Sequence, residues 1–323
     1  MVHFPWILIV NAAQRFNYII GPSVSEFFLV ESSKLKPTES FIEIDGVDIC
    51  FFEWGERGAP QLLLVHATGF HSRCWDQIVK KLPDRLNVFC VDMRGHGRSE
   101  KTGPYSWDRF GTDLLRFCEA VNLCNAVGVG HSMGGYCVTH VAAKNNSHFK
   151  QLLLVDPVIM EPSVYKNSER HKFGSIEDHP VARRKAVFKD AQEMYARYKD
   201  RMPYNLWQDA VFKDYCDFGV LPATAGGVNL ACPPHVEASI YMANFESNLH
   251  DLIPTISTPT VVLRAAPRDT KSEEVNFASS PTWPDLAKQF INGHDVFLPE
   301  LSHFIPMQDP ELVVEFILGA LES

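Results

Sequence analysis

The chain has 323 residues, of which 46% are hydrophobic and 21% are charged, an ordinary composition for a globular protein with a large buried core. Its formal net charge of -9 argues against a nucleic-acid partner, because phosphate binding needs a basic face. The eight cysteines include no C-x-x-C pair, so we expect no metal and no cofactor. Several of them lie in apolar patterns typical of buried free thiols, which favours a reducing, cytoplasmic location.

The first element is an apolar stretch at the N-terminus, MVHFPWILIV. It is too short to span a bilayer. It also lacks the preceding lysine or arginine that a typical signal peptide has. We therefore predict an N-terminal extension over residues 1–37, with a signal peptide or a peripheral membrane contact as the alternatives. Nothing else in the sequence resembles a transmembrane helix, so no integral membrane span is expected.

Residues 38–157 are predicted to form the first part of an α/β core. In residues 40–55, apolar and polar residues alternate on both sides of an Asp-Gly pair, which indicates an antiparallel hairpin of edge strands. Four apolar runs typical of strands covered on both faces follow, namely QLLLVHATG, LNVFCVDMRG, NAVGVGHS and KQLLLVDP. Helical patterns separate these runs over residues 75–82, 107–121 and 133–144. The alternation predicts βα units and a mostly parallel, doubly wound sheet.

That rhythm stops over residues 158–250, which are rich in charged and aromatic residues and show no apolar strand. The clearest helical stretches there are RRKAVFKDAQEMYARYKD and LWQDAVFKDYCDFG. We predict an inserted helical lid whose large apolar side chains pack partly on the core and partly over a pocket. A further strand, PTVVLRAAP, belongs to the second core part, residues 251–323, and the chain closes with a helix that Asp309 caps and Pro310 begins.

One short segment, Gly130-His131-Ser132-Met133-Gly134, fits the G-x-S-x-G pattern between a predicted strand and a predicted helix. A strand that turns into a helix within one or two residues leaves the serine in a strained conformation, and the residues two positions away must be small. The backbone N–H of Met133 then lies at a helix N-terminus, where it can stabilise an oxyanion. We predict that Ser132 is a nucleophile; the alternative is a glycine-rich turn with an incidental serine.

Four motifs in this order resemble those of the α/β-hydrolase superfamily: VHATGFHSRCW, DMRGHGRS, the segment around Ser132, and LSHFIPMQDPELV. The similarity spans roughly residues 40–323 and points to the lid-bearing branch of esterases, lactonases, carbon–carbon bond hydrolases and cofactor-free haloperoxidases. The resemblance implies an α/β-hydrolase fold, with His303 as the general base. It also implies that the backbone N–H of Thr68 is the second oxyanion donor. Ala67 departs from the family pattern, which usually has glycine there.

The same resemblance places the acid of the triad after the strand that follows the lid, where TVVLRAAPRDT contains one carboxylate, Asp269. The family's usual glycine and acidic pair are missing from this turn. Some members carry the acid one strand earlier, which makes Asp156 in LLLVDP the alternative. We predict Asp269 as the acid. Asp92, Arg94 and Ser99 of the second motif are assigned to structure.

These residues predict a serine hydrolase that cleaves a small to medium, mostly apolar carboxylic ester or lactone. His303 would take the proton of Ser132, and an acyl-enzyme would form and be hydrolysed. Two alternatives use the same residues: cleavage of a carbon–carbon bond in a diketone, and a hydrolase-like protein that only binds its ligand. The expected partner is a small ester-like molecule, and the sequence does not indicate an oligomeric state.

Overall fold

The computed structural model describes residues 36–166, 173–243, 247–267 and 277–322. Its strands are β1 (Thr38–Ile44), β2 (Val47–Trp54), β3 (Gln61–Val65), β4 (Asn87–Val91), β5 (Ala126–His131), β6 (Phe149–Val155), β7 (Val187–Phe188), β8 (Val220–Pro222), β9 (Val228–Leu230), β10 (Thr260–Ala265) and β11 (Gly293–Leu298). Its α-helices are α1 (Asp76–Val79), α2 (Trp107–Ala120), α3 (Met133–Lys144), α4 (Pro162–Tyr165), α5 (Ala191–Tyr198), α6 (Asp209–Phe218), α7 (Pro234–Ala243), α8 (Ile305–Gln308) and α9 (Pro310–Glu322). None of these helices has the length and apolarity needed to cross a bilayer.

Eight strands form the main sheet in the order β1-β2-β4-β3-β5-β6-β10-β11. The pairs β1–β2 and β2–β4 are antiparallel, and every later pair is parallel, as the sequence predicts. The predicted hairpin turns at Asp45 and Gly46, which both have positive φ as a tight two-residue turn requires. Of the two hairpin strands, however, β1 alone lies at an edge of the sheet, because β2 pairs on both of its sides.

Both faces of the sheet are covered, which explains the continuous apolar runs. In β3, Leu62 and Leu64 point into one core and Leu63 and Val65 into the other, and all four are fully buried. The first core also contains side chains of α1 and α9, and the second contains side chains of α2 and α3. The doubly wound sheet brings the carboxyl ends of β3, β5, β6 and β10 to one edge.

The segment between β6 and β10 differs from the predicted purely helical lid. It contains a small antiparallel sheet of β7, β9 and β8 in addition to α4–α7. Strand β7 lies inside the first stretch predicted as helix, of which only Ala191–Tyr198 is α-helical, starting where the Asp190 side chain accepts the N–H of Glu193. Strands of two or three residues are too short to show a period of two, so the sequence pattern missed them.

An aromatic cluster joins this inserted segment to the core. It consists of Phe70, Tyr204, Trp207, Tyr215 and Phe304. Trp207 lies 5.5 Å from Phe70 and 5.4 Å from Phe304 between ring centroids, distances typical of favourable aromatic pairs. Since Phe70 follows β3 and Phe304 follows β11, the insertion packs against two loops at the carboxyl edge of the sheet.

Gly134 in α3 offers a test of how tightly α3 is packed against β3. A Cβ atom there would lie 2.2 Å from the backbone oxygen of Val65, and backbone cannot move aside cheaply. We expect Gly134→Ala to lower the free energy of unfolding by about 1–3 kcal/mol or more in urea denaturation. The matched control is Gly319→Ala in α9, where nothing lies within 4 Å of the added atom and a gain of roughly 0.5–1 kcal/mol is expected. Equal effects of the two substitutions would contradict this packing.

Candidate active site

The chain passes from strand β5 into helix α3 through one residue, Ser132. Its backbone lies in the left-handed region, with φ 56° and ψ -116°, which is the strained conformation expected from the sequence. The residues two positions away must be glycine: a Cβ on Gly130 would lie 2.3 Å from the backbone oxygen of Gly134. The spacing of the pattern therefore follows from the close approach of β5 and α3.

His303 lies in the loop between β11 and α8, with Nε2 2.9 Å from the Ser132 Oγ. Hydrogen bonds of the His303 backbone, one at its N–H and one at its carbonyl, hold this loop in place. The His303 N–H donates to the Ala278 carbonyl at 2.7 Å, and the His303 carbonyl accepts a hydrogen bond from Nε2 of His131 at 2.8 Å. The structure thus brings together the predicted nucleophile and the predicted base, and both side chains are buried against bulk solvent.

The predicted acid, Asp269, lies outside the described residues. The carboxylate that the structure shows at the imidazole is that of Asp156, the alternative from the sequence. Its Oδ2 lies 2.6 Å from His303 Nδ1. Asp156 directly follows β6, the strand next to β5, so its side chain emerges beside the Ser132 turn.

Asp156 is fully buried, and its second carboxylate oxygen has partners of its own. Oδ1 accepts hydrogen bonds from the Ala265 N–H at 2.9 Å and from the Ser280 hydroxyl at 2.6 Å. The Thr282 hydroxyl lies 3.2 Å from the same oxygen. A buried carboxylate needs such partners. The donors to Oδ1 fix the orientation of the carboxylate, and Oδ2 accepts the hydrogen bond from His303.

Both residues predicted to supply oxyanion donors lie close to Ser132. Met133 is the first residue of α3, so its N–H has no acceptor within the helix. Thr68 follows β3, is buried, and lines the same cavity as Ser132 and His303. The Ala67 carbonyl, in the peptide group that carries the Thr68 N–H, accepts hydrogen bonds from His66 Nδ1 at 2.7 Å and from the Phe70 N–H at 3.1 Å.

The DMRGHGRS loop follows β4 and is held by its own polar groups. The Asp92 carboxylate accepts two backbone N–H groups, those of Ser72 and Arg98, both at 2.7 Å. Arg94 pairs with Asp113 of α2 through two hydrogen bonds of 2.7 and 2.9 Å, so its acidic partner lies outside the motif. These contacts agree with a structural assignment for both residues.

A cavity of about 420 Å³ opens beside the Ser132 hydroxyl. Its walls are mainly apolar and include Phe70, Val158, Met160, Val164, Tyr241 and Trp283. The inserted segment contributes four of these residues. The large aromatic side chains of the insertion were expected to pack partly on the core and partly over the pocket; most of them pack in and around the aromatic cluster. The exposed carboxylate of Glu161 lies among the lining residues.

No group of three His, Cys, Asp or Glu side chains suited to a metal ion occurs among the residues that the structure describes. The site geometry therefore consists of a serine, an imidazole, a carboxylate and backbone N–H groups next to an apolar cavity. Such an arrangement can support nucleophilic catalysis without a metal.

A mostly parallel sheet with a serine at a strand–helix turn is the architecture of the α/β hydrolases. The chain belongs to the alpha/beta hydrolase family, whose model matches residues 62–316. A solved structure of E-2-(acetamidomethylene)succinate hydrolase has the same fold, with a TM-score of 0.71 and 19% identity over 89% of this chain and 100% of that chain. The family assignment makes the chain a hydrolase.

Two curated relatives cover most of the chain. A bifunctional esterase/perhydrolase from Acinetobacter calcoaceticus is 25% identical over 86% of this chain and 98% of its own length. A 2-(acetamidomethylene)succinate hydrolase from Mesorhizobium japonicum is 25% identical over 83% of this chain and 90% of its own length. Hydrolysis is common to both names, whereas their substrates differ.

Several histidines near the site are buried. The lowered pKa of one of them, His71, leads to a specific prediction for how stability depends on pH. Burial lowers the pKa of His71 from its ordinary value of 6.5 to about 4. Between these two values the unfolded chain binds a proton that the folded chain excludes, so stability is full above pH 6.5 and is lost as the pH falls toward 4. His71→Gln should remove this loss, which amounts to roughly 1–2 kcal/mol between pH 7 and pH 5.

The measurement is urea denaturation of the wild type and His71→Gln at pH 7, 6 and 5. Other groups contribute equally to both proteins, so the difference between their free energies of unfolding isolates His71. That difference should shift in favour of the variant as the pH falls. A difference that stays constant with pH would show that His71 is not held neutral in the folded state.

Proposed function

We propose that the chain is a serine hydrolase in which Ser132 is the nucleophile, His303 the base and Asp156 the acid. The substrate is a small to medium, mostly apolar carboxylic ester or lactone. One observation carries the proposal: hydrogen bonds run from Asp156 through His303 to Ser132 at 2.6 and 2.9 Å, and Ser132 faces an apolar cavity. A serine needs a base within this distance, and the base needs a carboxylate to hold its tautomer.

In the proposed reaction, His303 Nε2 takes the proton of Ser132 as Oγ attacks the substrate carbonyl carbon. The N–H groups of Thr68 and Met133 donate to the oxyanion that forms on the carbonyl oxygen. When the tetrahedral intermediate collapses, the alcohol leaves with the proton from His303 and an acyl-enzyme remains. Water then gives a proton to His303 and attacks the acyl carbon; as the bond to Oγ breaks, His303 returns that proton to Ser132 and the acid is released.

Asp156 replaces Asp269 as the proposed acid. The contact of 2.6 Å with His303 Nδ1 supports it, as does the set of donors on its other oxygen. Its position also suits the topology, since β6 lies between β5, which carries the serine, and β10. The chain order Ser, Asp, His is kept.

Charge in the cavity indicates which esters fit. Glu161 is exposed at the cavity lining, and the walls around it are mainly apolar. A carboxylate in this position repels an acyl group that carries a second carboxylate and leaves neutral acyl groups unaffected. We therefore propose neutral acyl groups for this chain, whereas the substrate of the Mesorhizobium relative is a succinate derivative.

The acid can be identified by replacing each candidate with asparagine. Asp156→Asn should lower kcat on an activated ester on the order of 10⁴-fold, because the amide favours the wrong tautomer of His303. Asp269→Asn serves as the matched control and should leave kcat within about threefold.

Ser132→Ala should abolish labelling by a fluorophosphonate and lower kcat by roughly 10³-fold or more. The measurements are steady-state kinetics and labelling at equal concentrations of folded protein.

A large loss in Asp269→Asn with none in Asp156→Asn would reverse the assignment of the acid. Labelling that persists in Ser132→Ala would remove Ser132 as the nucleophile. If the wild type is labelled and cleaves diketones but no ester, the reaction is carbon–carbon bond cleavage. If it binds ligands and turns over neither class, it acts as a binding protein.

The cavity predicts a dependence on acyl chain length and charge. Along straight-chain esters from acetate upward, each buried methylene should contribute up to about 0.8 kcal/mol to kcat/KM until the cavity is full, after which kcat/KM should fall. A succinate half-ester should react more slowly than the pentanoate ester of similar size. Glu161→Gln should raise the ratio of half-ester to pentanoate about threefold to tenfold at low ionic strength. A flat series, or an unchanged ratio, would contradict this view of the cavity.

A further inference from the structure

The Thr68 N–H can serve as an oxyanion donor only if the orientation of Thr68 is fixed. Two peptide groups flank this residue, and because peptide groups are planar their relative orientation determines its φ and ψ. The Ala67–Thr68 peptide is held at its carbonyl oxygen, which accepts a hydrogen bond from His66 Nδ1 at 2.7 Å. In a trans peptide this carbonyl and the Thr68 N–H point in opposite directions.

The second flanking peptide, Thr68–Gly69, is held by a residue from another motif. The Gly69 N–H donates to Nε2 of His96 at 3.0 Å. His96 lies in the DMRGHGRS loop and is fully buried. Its Nδ1 lies 2.9 Å from the Arg94 carbonyl. A backbone N–H can only donate, so Nε2 carries no proton and Nδ1 donates to Arg94, which defines one neutral tautomer of the ring.

The glycines on either side of His96 explain how its ring reaches this position. Gly95 and Gly97 both have positive φ, at 80° and 49°. A Cβ on Gly97 would lie 2.0 Å from a carboxylate oxygen of Asp92, and one on Gly95 would lie 2.8 Å from Val236. The GHG sequence therefore lets the loop fold tightly enough to place an imidazole under the Thr68 peptide.

Gly69 is also packed closely against the inserted segment. Gly69 has φ 81°, and a Cβ there would lie 2.4 Å from Oε1 of Glu237. Glu237 comes from α7 of the inserted segment, and its other oxygen accepts a hydrogen bond from Arg184 at 2.7 Å. The Gly69 N–H is thus held by His96, and the Gly69 Cα packs against the Glu237 carboxylate of an ion pair from the inserted segment.

We propose that His96 is a positioning residue for the oxyanion hole: by accepting the Gly69 N–H, it fixes the Thr68–Gly69 peptide and so aims the Thr68 N–H at the reacting carbonyl oxygen. This inference rests on the proposed function. His96 is not among the residues that line the cavity, so it acts only through the backbone. Burial lowers its pKa well below the ordinary range, which keeps the ring neutral and able to accept.

The experiment compares three variants that separate the two hydrogen bonds of His96. His96→Phe keeps a ring and removes both. His96→Asn can replace the Nδ1 donor but removes the imidazole acceptor of the Gly69 N–H. His96→Gln can place an amide oxygen where Nε2 lies. The matched control is His148→Phe, which removes another buried imidazole. His148 directly precedes β6, at the end of that strand away from Ser132, and its Nδ1 hydrogen-bonds to the Leu123 carbonyl.

We expect His96→Phe and His96→Asn to lower kcat about 10- to 100-fold with KM within about threefold, since a donor to the oxyanion acts mainly in the transition state. Affinity for a trifluoromethyl ketone, whose adduct with Ser132 carries an oxyanion, should fall by a similar factor. His96→Gln should recover most of both losses. His148→Phe should lower Tm without changing kcat.

Unchanged kcat and ketone affinity in His96→Phe, measured well below its Tm, would overturn the inference, and so would a His96→Gln variant as impaired as His96→Phe. Hydrogen exchange over residues 67–70 separates this inference from the proposed function. A wild type without esterase activity and without fluorophosphonate labelling contradicts the proposed function. In that case, faster exchange in His96→Phe still supports the inference that His96 fixes the backbone of residues 67–70, and unchanged exchange overturns that inference.

Discussion

The turn at Ser132 is the constraint on which the site depends. Strand β5 lies at the centre of a doubly wound sheet and runs directly into α3, so the reversal has to occur within a single residue of positive φ. Two glycines permit the close approach of backbone that follows, and the turn leaves the serine hydroxyl at the carboxyl edge of the sheet. The first N–H of α3 comes to the same place because the helix begins at the next residue.

A second requirement is that the polar groups of the site be satisfied while buried. Asp156 carries its carboxylate into an interior with no exposed surface, where an unpaired charge would be very costly. Its partners come from the end of β10, from the segment after residue 277 and from His303, so one carboxylate joins three separate parts of the chain. The same logic applies to the imidazoles under Thr68, each of which has one donor and one acceptor contact.

The inserted segment serves two physical roles with different residues. Its large aromatic side chains pack on Phe70 and Phe304, the neighbours of the proposed oxyanion loop and of His303, and so contribute to the rigidity of both loops. Its smaller apolar residues and Tyr241 line the cavity. In the proposed enzyme, a mutation in the aromatic cluster would therefore shift the loops that hold Thr68 and His303, and a mutation in the cavity wall would change substrate binding.

The sequence by itself determined the alternation of strands and helices in most of the core and the turn at Ser132, because these depend on local periodicity and on glycine at fixed spacing. The histidine that contacts Ser132 followed from the resemblance of LSHFIPMQDPELV to a family motif. The acid was different. Asp269 and Asp156 both follow a predicted strand, and only the tertiary structure shows a carboxylate, that of Asp156, within hydrogen-bonding distance of His303. The short strands of the insertion and the contact between His96 and Gly69 likewise arise from pairing between distant segments, which no local pattern encodes.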